Sequence, residues 1–157
     1  LRKRSLLNRN IIGALFVGLM VTALPVSAET PTVIEFLQIP CQFVESENGV
    51  DHGFQSTQKS DCEAINKKSG DQRLAAAKVL KLKPGKYIFR VANKDVPYPL
   101  GFWLRGEGLG RLTLPSVSGG GLVTGATKDY NIDLKAGEYL YSCPLNSTPD
   151  YRIKVEG

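Results

Sequence analysis

The sequence predicts an all-β protein built as a sandwich of two packed sheets. Short runs alternate apolar and polar residues, as in "DYNIDL", where Tyr130, Ile132 and Leu134 share one face. Proline and glycine turns separate these runs, as at Pro84 and Gly85. Seven or eight such strands would each leave one apolar face, and two packed sheets are the arrangement that buries those faces.

The predicted strands follow one another from Thr32 to the end of the chain. They are "TVIEFLQ", "KVLKLK", "YIFRVAN", "GFWLRG", "DYNIDL", "YLYSC" and "YRIKVEG". The Pro-Gly turn predicts a hairpin between the second and third, and "KAGE" is expected to lay "YLYSC" beside "DYNIDL". Pro97 and Pro99 cannot donate to a ladder, so "KDVPYPL" is expected to be loop or edge. "RLTLP" is predicted as a short strand and "SVSGGG" as a flexible segment.

Residues 45–77 depart from the strand pattern. They are mostly polar and include helix formers such as Glu63, Ala64 and Leu74. We interpret them as an insertion near the N-terminus that contains one or two short helices.

Residues 1–28 have the pattern of an export signal. Basic residues precede an apolar run from Ile11 to Leu24, and "PVSA" offers a cleavage site after Ala28. Cleavage would leave residues 29–157 as one periplasmic or secreted domain, and a retained membrane anchor is the alternative. The remaining chain is close to neutral, so we expect no nucleic acid partner and no membrane contact after cleavage.

Three cysteines bear on the compartment and on the site. Cysteines of exported proteins tend to pair, and an odd number leaves one over. Cys41 and Cys62 flank a polar segment, which favours a disulfide between them and a free Cys143. Spacing alone leaves a bond between Cys41 and Cys143 open.

Two stretches resemble the cupredoxins, the family with the blue-copper fold. "LKLKPGKYIFRVANKDVPYPLGFWL" resembles the part of that family that delivers the first histidine ligand, and "VTGATKDYNIDLKAGEYLYSC" resembles the part that ends in the cysteine ligand. The resemblance implies a cupredoxin-like Greek-key β-sandwich.

The resemblance also implies a copper site, from which this sequence departs. The family pattern combines one Cys, two His and one Met, a set that suits both oxidation states of copper. Neither the 96–100 loop nor the 144–148 loop contains a histidine, and the sole methionine is Met20. Only Cys143 is retained, so no cofactor is expected, with copper as the alternative.

His52, the sole histidine, offers a second way to bind metal. It lies close in sequence to Glu47 and Asp51, and these residues could complete an unusual copper site with Cys143. The simpler interpretation is that His52 is exposed or stabilises a turn. Cys143 likewise remains open between a buried thiol, half of a disulfide and a metal ligand.

Two functions follow, and neither is enzymatic, because we find no acid-base or nucleophilic constellation. The first is an exported binding or accessory module that docks to an extracytoplasmic protein partner in respiration or metal handling. Tyr98, Phe102 and Trp103 could form its docking surface, although such aromatic residues also fill sandwich cores. The alternative is a copper-binding protein that carries electrons or handles copper through Cys143 and His52.

Overall fold

The computed structural model of the protein describes residues 29–157, and the predicted export signal, residues 1–28, lies outside them. The described chain forms nine strands and one α-helix. The strands are β1 (Thr32–Ile39), β2 (Gln42–Phe43), β3 (Leu80–Leu82), β4 (Gly85–Asn93), β5 (Leu100–Gly106), β6 (Val117–Leu122), β7 (Thr127–Leu134), β8 (Gly137–Ser142) and β9 (Tyr151–Val155), and the helix is α1 (Lys59–Ala76).

The strands form two sheets, which confirms the predicted sandwich. One sheet has the order β2-β1-β4-β7, and the other has the order β3-β9-β8-β5-β6. The pairs β1 with β4 and β3 with β9 are parallel, and the remaining pairs are antiparallel. Consecutive strands often lie in opposite sheets, which is the connectivity of a Greek key.

Both predicted hairpins are wrong, because each of the two turns leads from one sheet to the other. The Pro84 turn leads from β3 to β4, yet β3 pairs with β9 and β4 pairs with β1 and β7. The turn at Ala136 leads in the same way from β7 to β8. Gly85 and Gly137 begin the strands after these turns. Their φ values are +147° and +152°, which residues other than glycine rarely adopt.

The polar insertion contains one long helix rather than one or two short ones. Helix α1 has 18 residues and begins with reciprocal hydrogen bonds between Gln58 and Asp61, a capping box. Before it, residues 45–47 form a 3-10 turn. Within residues 29–157, no helix combines the length and the apolar character needed to cross a membrane.

Two weaker predictions from the 111–121 region are also wrong. Residues Gly108–Leu112 form a 3-10 turn, so "RLTLP" is not a strand. "SVSGGG" belongs to β6, which pairs with β5 at the edge of its sheet. A Cβ atom on Gly119 would lie 3.0 Å from the Tyr130 ring, so the bare backbone lets β6 approach β7 closely.

An aromatic core fills the space between the sheets. Phe36, Phe89, Phe102 and Tyr141 are buried in it, and Phe36 stacks on Tyr141 with ring centroids 4.8 Å apart. The sandwich has two ends, which we name by a residue at each. The Cys143 end is where β1, β4 and β8 finish, and the Glu29 end is where β4 and β8 begin.

Candidate functional site

Cys143 follows β8 directly and is the free cysteine of the described chain, fully buried. Its Sγ accepts hydrogen bonds from the backbone N–H groups of Gly101 and Asn146, both at 3.3 Å. Burial raises the pKa of the Cys143 thiol, and the N–H donors offset that rise only in part. The sulfur is therefore held as a neutral thiol.

Two buried carboxamides surround this thiol. The Asn146 side chain accepts a hydrogen bond from the Cys41 N–H at 2.8 Å and donates one to the Ile39 carbonyl at 2.9 Å. The Gln38 side chain donates to the Gly101 carbonyl at 2.8 Å. Together they connect the end of β1 to β5 and to the loop after β8. We call Gln38, Asn146 and the thiol of Cys143 the amide cluster.

The amide cluster was not predicted from the sequence. Asn146 lies three residues after Cys143, in the 144–148 loop that contains no histidine. Gln38 belongs to β1, where a polar residue that is fully buried requires hydrogen-bond partners. No local signal in the sequence shows that this position is buried.

The loop after β4 is held by the side chain of Asn93. Its Oδ1 accepts from the Val96 N–H at 3.0 Å, and its Nδ2 donates to the carbonyls of Val96 and Leu122 at 3.2 and 3.1 Å. Tyr98 then reaches across to Ser56, with 3.1 Å between the two hydroxyl oxygens. The loop that delivers a histidine in the family therefore contacts the insertion through a tyrosine here.

A second cluster of buried polar groups centres on Glu47, which ends the 3-10 turn before α1. One carboxylate oxygen accepts from Arg73 Nη2 at 2.6 Å and from the Tyr151 hydroxyl. The other accepts from Arg73 Nε at 2.8 Å and contacts His52 Nε2 at 2.7 Å. The Glu47 and Arg73 side chains are only 3% and 7% exposed, so this is a bidentate, buried ion pair. We call these four residues the Glu47 cluster.

The surroundings of Glu47 keep it ionised. Burial by itself would raise the pKa of Glu47, but the hydrogen bonds from Arg73, Tyr151 and His52 and the charge of Arg73 outweigh burial and lower it. Burial and the neighbouring carboxylate raise the pKa of Tyr151, which therefore remains a hydrogen-bond donor.

His52 lies at the edge of a cavity of about 500 Å³ beside the Glu47 cluster. The His52 ring stacks on the Phe54 ring with centroids 5.3 Å apart, and the Arg73 guanidinium lies 4.7 Å from the centroid of the Phe54 ring. Asp51 accepts a hydrogen bond from the Gly53 N–H at 2.7 Å, so its carboxylate stabilises the turn beside His52.

The four candidate metal ligands are therefore divided between two places. Glu47 and His52 meet in the Glu47 cluster and Asp51 lies in the adjoining turn, whereas Cys143 belongs to the amide cluster. Across residues 29–157, no three His, Cys, Asp or Glu side chains are grouped so that they could hold a metal ion. The Cys143 sulfur has carboxamide and backbone N–H groups as its neighbours and no imidazole, whereas a type 1 copper site combines a thiolate with imidazole ligands.

The predicted disulfide between Cys41 and Cys62 is present, which confirms that pairing. Both cysteines are fully buried, and the bond ties the first turn of α1 to the end of β1. Arg73 adds a second tie, because its Nη2 donates to the Cys41 carbonyl at 3.2 Å. The helix is thus attached to the sandwich beside both polar clusters.

The predicted aromatic docking surface requires one correction. Phe102 is 1% exposed and lies in the core, because it points to the inner face of β5. Trp103 points outward, with the guanidinium carbons of Arg105 and Arg111 at 4.0 and 5.1 Å from its ring centroid. A shallow groove of about 340 Å³ runs beside Trp103 and ends at Pro144 and Leu145.

Comparisons with known proteins give distant likenesses. No family model matches the chain, and no curated protein matches it. Auracyanin B is similar with a TM-score of 0.49 and 14% identity, over 84% of this chain and 94% of that chain. A laccase from Pediococcus acidilactici gives 0.41 and 12%, over 87% of this chain and 29% of the laccase. A multicopper oxidase from Pediococcus acidilactici gives 0.37 and 13%, over 85% and 28%.

The chain thus spans less than a third of the two oxidases. Sequence identities this low indicate a similarity of fold and carry no information about function. In residues 29–157 the order β2-β1-β4-β7 faces β3-β9-β8-β5-β6, and a cysteine follows the strand that precedes the last one. This arrangement makes the fold a cupredoxin-like Greek-key β-sandwich.

Proposed function

We propose that the protein is an exported, non-enzymatic binding or accessory module that has the cupredoxin-like sandwich without a standard type 1 copper site. We further propose that it docks to an extracytoplasmic protein partner in respiration or metal handling. One observation carries the proposal. The buried Cys143 sulfur accepts hydrogen bonds from the backbone N–H groups of Gly101 and Asn146, inside a network of carboxamides and with no imidazole beside it.

The amide cluster has the properties of a structural core rather than of a metal centre. Its sulfur accepts hydrogen bonds from backbone N–H groups, and its carboxamides are engaged with backbone groups. The one imidazole in the sequence is engaged by Glu47. Copper would need a thiolate and at least one imidazole nitrogen directed at the same point.

Export is supported by two features. The basic and apolar pattern of residues 1–28 is typical of a signal segment. The Cys41–Cys62 disulfide is typical of proteins that reside outside the reducing cytoplasm.

The expectation that the protein forms no type 1 copper site can be tested directly in solution. On addition of Cu(II) to the purified protein, we expect no intense visible absorption of the thiolate-to-copper type. Cys143→Ser should leave the bound copper content nearly unchanged, because the sulfur is not expected to be a ligand. A strong band that disappears in both Cys143→Ser and His52→Ala would contradict the proposal. That result would support an electron-transfer or copper-handling protein built on Cys143 and His52.

The groove beside Trp103 is the docking surface that we favour. Leu145 is 42% exposed at its end, and the backbone of Gly119 and Gly120 forms its opposite wall. Arg111 stacks on Trp103 and forms no ion pair within the described part of the chain. A partner would therefore present an apolar side chain to the groove and an acidic group to Arg111.

Photo-crosslinking tests this surface. A photoreactive amino acid at position 145 should yield one adduct of discrete mass with envelope proteins of the source organism. The same amino acid in place of Val33 should yield no such adduct. Val33 is similarly exposed, at 43%, but lies in the sheet that does not contain Trp103. Equal adducts from both positions, or none from position 145, would contradict docking at the groove.

A further inference from the structure

The cavity of about 500 Å³ beside the Glu47 cluster lies between an aromatic pair and a helix. The stacked rings of His52 and Phe54 form one part of its wall. Ser69, Gln72 and Ala76 form another part, because residues three or four apart share one face of α1. Ser69 and Ala76 have short side chains, so this face of the helix leaves the space beside the two rings open.

The charged groups that line this cavity are saturated by one another. Both oxygens of Glu47 accept two contacts each, all from partners within the Glu47 cluster. Four of the five N–H groups of Arg73 are also taken, two by Glu47, one by Asn66 and one by the Cys41 carbonyl. The Glu47 carboxylate therefore has no lone pair left for a cationic ligand, and the Arg73 guanidinium has no paired donors left for an anionic one.

The exposed charges that are close in sequence favour neither sign. Lys68 and Asp71 are adjacent to lining positions of α1, and Asp51 precedes His52, but none of the three lines the cavity. Lys68 and Asp71 have opposite charges, and the Asp51 carboxylate accepts a hydrogen bond from the Gly53 N–H. The cavity therefore suits an uncharged ligand.

Glu47 determines which nitrogen of His52 carries the proton in the uncharged ring. An ionised carboxylate only accepts hydrogen bonds, and the Glu47 oxygen lies 2.7 Å from His52 Nε2. Nε2 is therefore the donor, and Nδ1 keeps its lone pair. Within residues 29–157 Nδ1 has no hydrogen-bond partner, and the His52 side chain is 31% exposed. The ring thus leaves one hydrogen-bond acceptor free beside the cavity.

We propose that this cavity binds a small, uncharged aromatic molecule that carries one hydrogen-bond donor, as a phenol does. The ring of the ligand lies between the aromatic pair and α1, and its hydroxyl group donates to His52 Nδ1. A volume of about 500 Å³ is within the range of ligand sites, which is about 300–1,000 Å³. The inference goes beyond the proposed docking function, depends neither on the partner nor on copper, and gives His52 a role other than that of a metal ligand.

The Glu47 cluster fixes the aromatic part of this wall. The Arg73 guanidinium lies 4.7 Å from the centroid of the Phe54 ring, and the Glu47 carboxylate holds His52. A buried ion pair seldom stabilises a fold more than packed apolar side chains would, because desolvation of the charges offsets their attraction. Holding two aromatic side chains beside an open space is, by contrast, what a preorganised binding site requires of the residues behind it.

NMR titration of the isotope-labelled chain tests the proposal with four probes that have one ring each. Phenol carries the donor, anisole replaces it with a methyl ether, and benzoate and benzylammonium add a negative or a positive charge. We expect phenol to shift the amide signals of residues 50–54 and 69–76. Its half-saturation should need about three- to tenfold less probe than that of anisole, the effect of one hydrogen bond between uncharged groups. Both charged probes should bind more weakly than phenol, because they lose hydration without gaining a counter-charge.

Two substitutions separate the ligand from the fold. His52→Phe keeps a ring beside Phe54 and removes the acceptor, so phenol and anisole should then bind equally. Ser69→Phe occupies part of the cavity from the half-buried face of α1 and should abolish the shifts with both probes. Lys67→Phe changes an exposed position of α1 that does not line this cavity, so it is the matched control and should leave binding unchanged. The amide spectrum of each variant without probe reports whether it is folded.

Several results would overturn the proposal. Equal half-saturation by phenol and anisole in the unaltered chain would show that no hydrogen bond to His52 forms. Binding of benzoate or benzylammonium as tightly as phenol would contradict an uncharged ligand. Shifts centred on the groove beside Trp103, or spread over the whole surface, would show adsorption of aromatic probes outside the cavity. An absence of shifts up to the solubility limit of phenol would show that the cavity holds only water. Each of these results would leave the proposed docking at the groove beside Trp103 unaffected.

Discussion

Replacing Glu47 with glutamine is expected to lower the free energy of unfolding by about 3–5 kcal/mol, because it leaves a buried guanidinium without its counter-charge. Arg73 is 7% exposed, and both of its hydrogen bonds to Glu47 are charge-assisted. Glutamine has nearly the same volume, so the loss reflects charge and hydrogen bonding rather than a cavity. Urea denaturation at neutral pH, followed by circular dichroism, measures the change.

Glu63→Gln provides the matched control for this substitution. Glu63 pairs with Lys59 on the surface of α1, and both side chains are 53% exposed. Water and salt screen such a pair, so its removal should cost no more than about 0.5 kcal/mol. Equal losses in Glu47→Gln and Glu63→Gln would mean that the buried pair contributes nothing beyond a surface pair.

Glu47 should also give the protein a specific sensitivity to acid. The pKa of Glu47 is lower in the folded chain than in the unfolded chain, where a glutamate titrates at about 4.3. The stabilisation is therefore fully present above that value and is lost as pH falls through the lower, folded pKa. Denaturation curves from pH 7 downward should show this loss in the natural chain, and Glu47→Gln should lack that part of the pH dependence.

The strands could be predicted from the sequence because burial on one face imposes alternation on each of them. In β7, Tyr130, Ile132 and Leu134 are buried, as the alternation of "DYNIDL" predicts. Partners could not be predicted, because a tight turn reverses the chain equally well within one sheet or between two. The turns before Gly85 and Gly137 look like hairpin turns, and only the packing of the whole sandwich places their strands in opposite sheets.

The glycine run shows the limit of composition as a guide. "SVSGGG" lacks the side chains by which a strand is recognised, yet it forms β6, where the missing Cβ of Gly119 leaves room for the Tyr130 ring. The same limit applies to Phe102 and Trp103, which are adjacent aromatic residues of one strand. Composition treats them alike, whereas the pleat sends one inward and the other outward.

The candidate site was predictable in its cysteines and not in its polar partners. The pairing of Cys41 with Cys62 followed from an odd number of cysteines and a polar loop between two of them. Gln38 and Asn146 meet only after folding, because they are 108 residues apart in the chain. Arg73 and Glu47 likewise come from different elements, and no periodicity joins a helix to the turn before it.

Removal of the disulfide by Cys41→Ser with Cys62→Ser is expected to lower the free energy of unfolding by about 2–5 kcal/mol. The bond joins residues 21 apart and holds α1 against the end of β1. The Asn146 side chain contacts both halves of it, at 2.8 Å to the Cys41 N–H and 3.4 Å to Cys62 Sγ. Its loss should therefore loosen the amide cluster as well as the helix.

This loosening has a chemical readout in the reactivity of Cys143. In the natural chain the thiol is fully buried and its raised pKa disfavours the reactive thiolate, so a thiol reagent should modify it only on unfolding. In the double variant the same reagent should react with the one remaining thiol under native conditions, at a rate that depends on local opening. Asp71→Ser, an exposed change on α1, serves as the control and should leave Cys143 protected. Continued protection of Cys143 in the double variant would show that the strands hold the amide cluster without help from the helix.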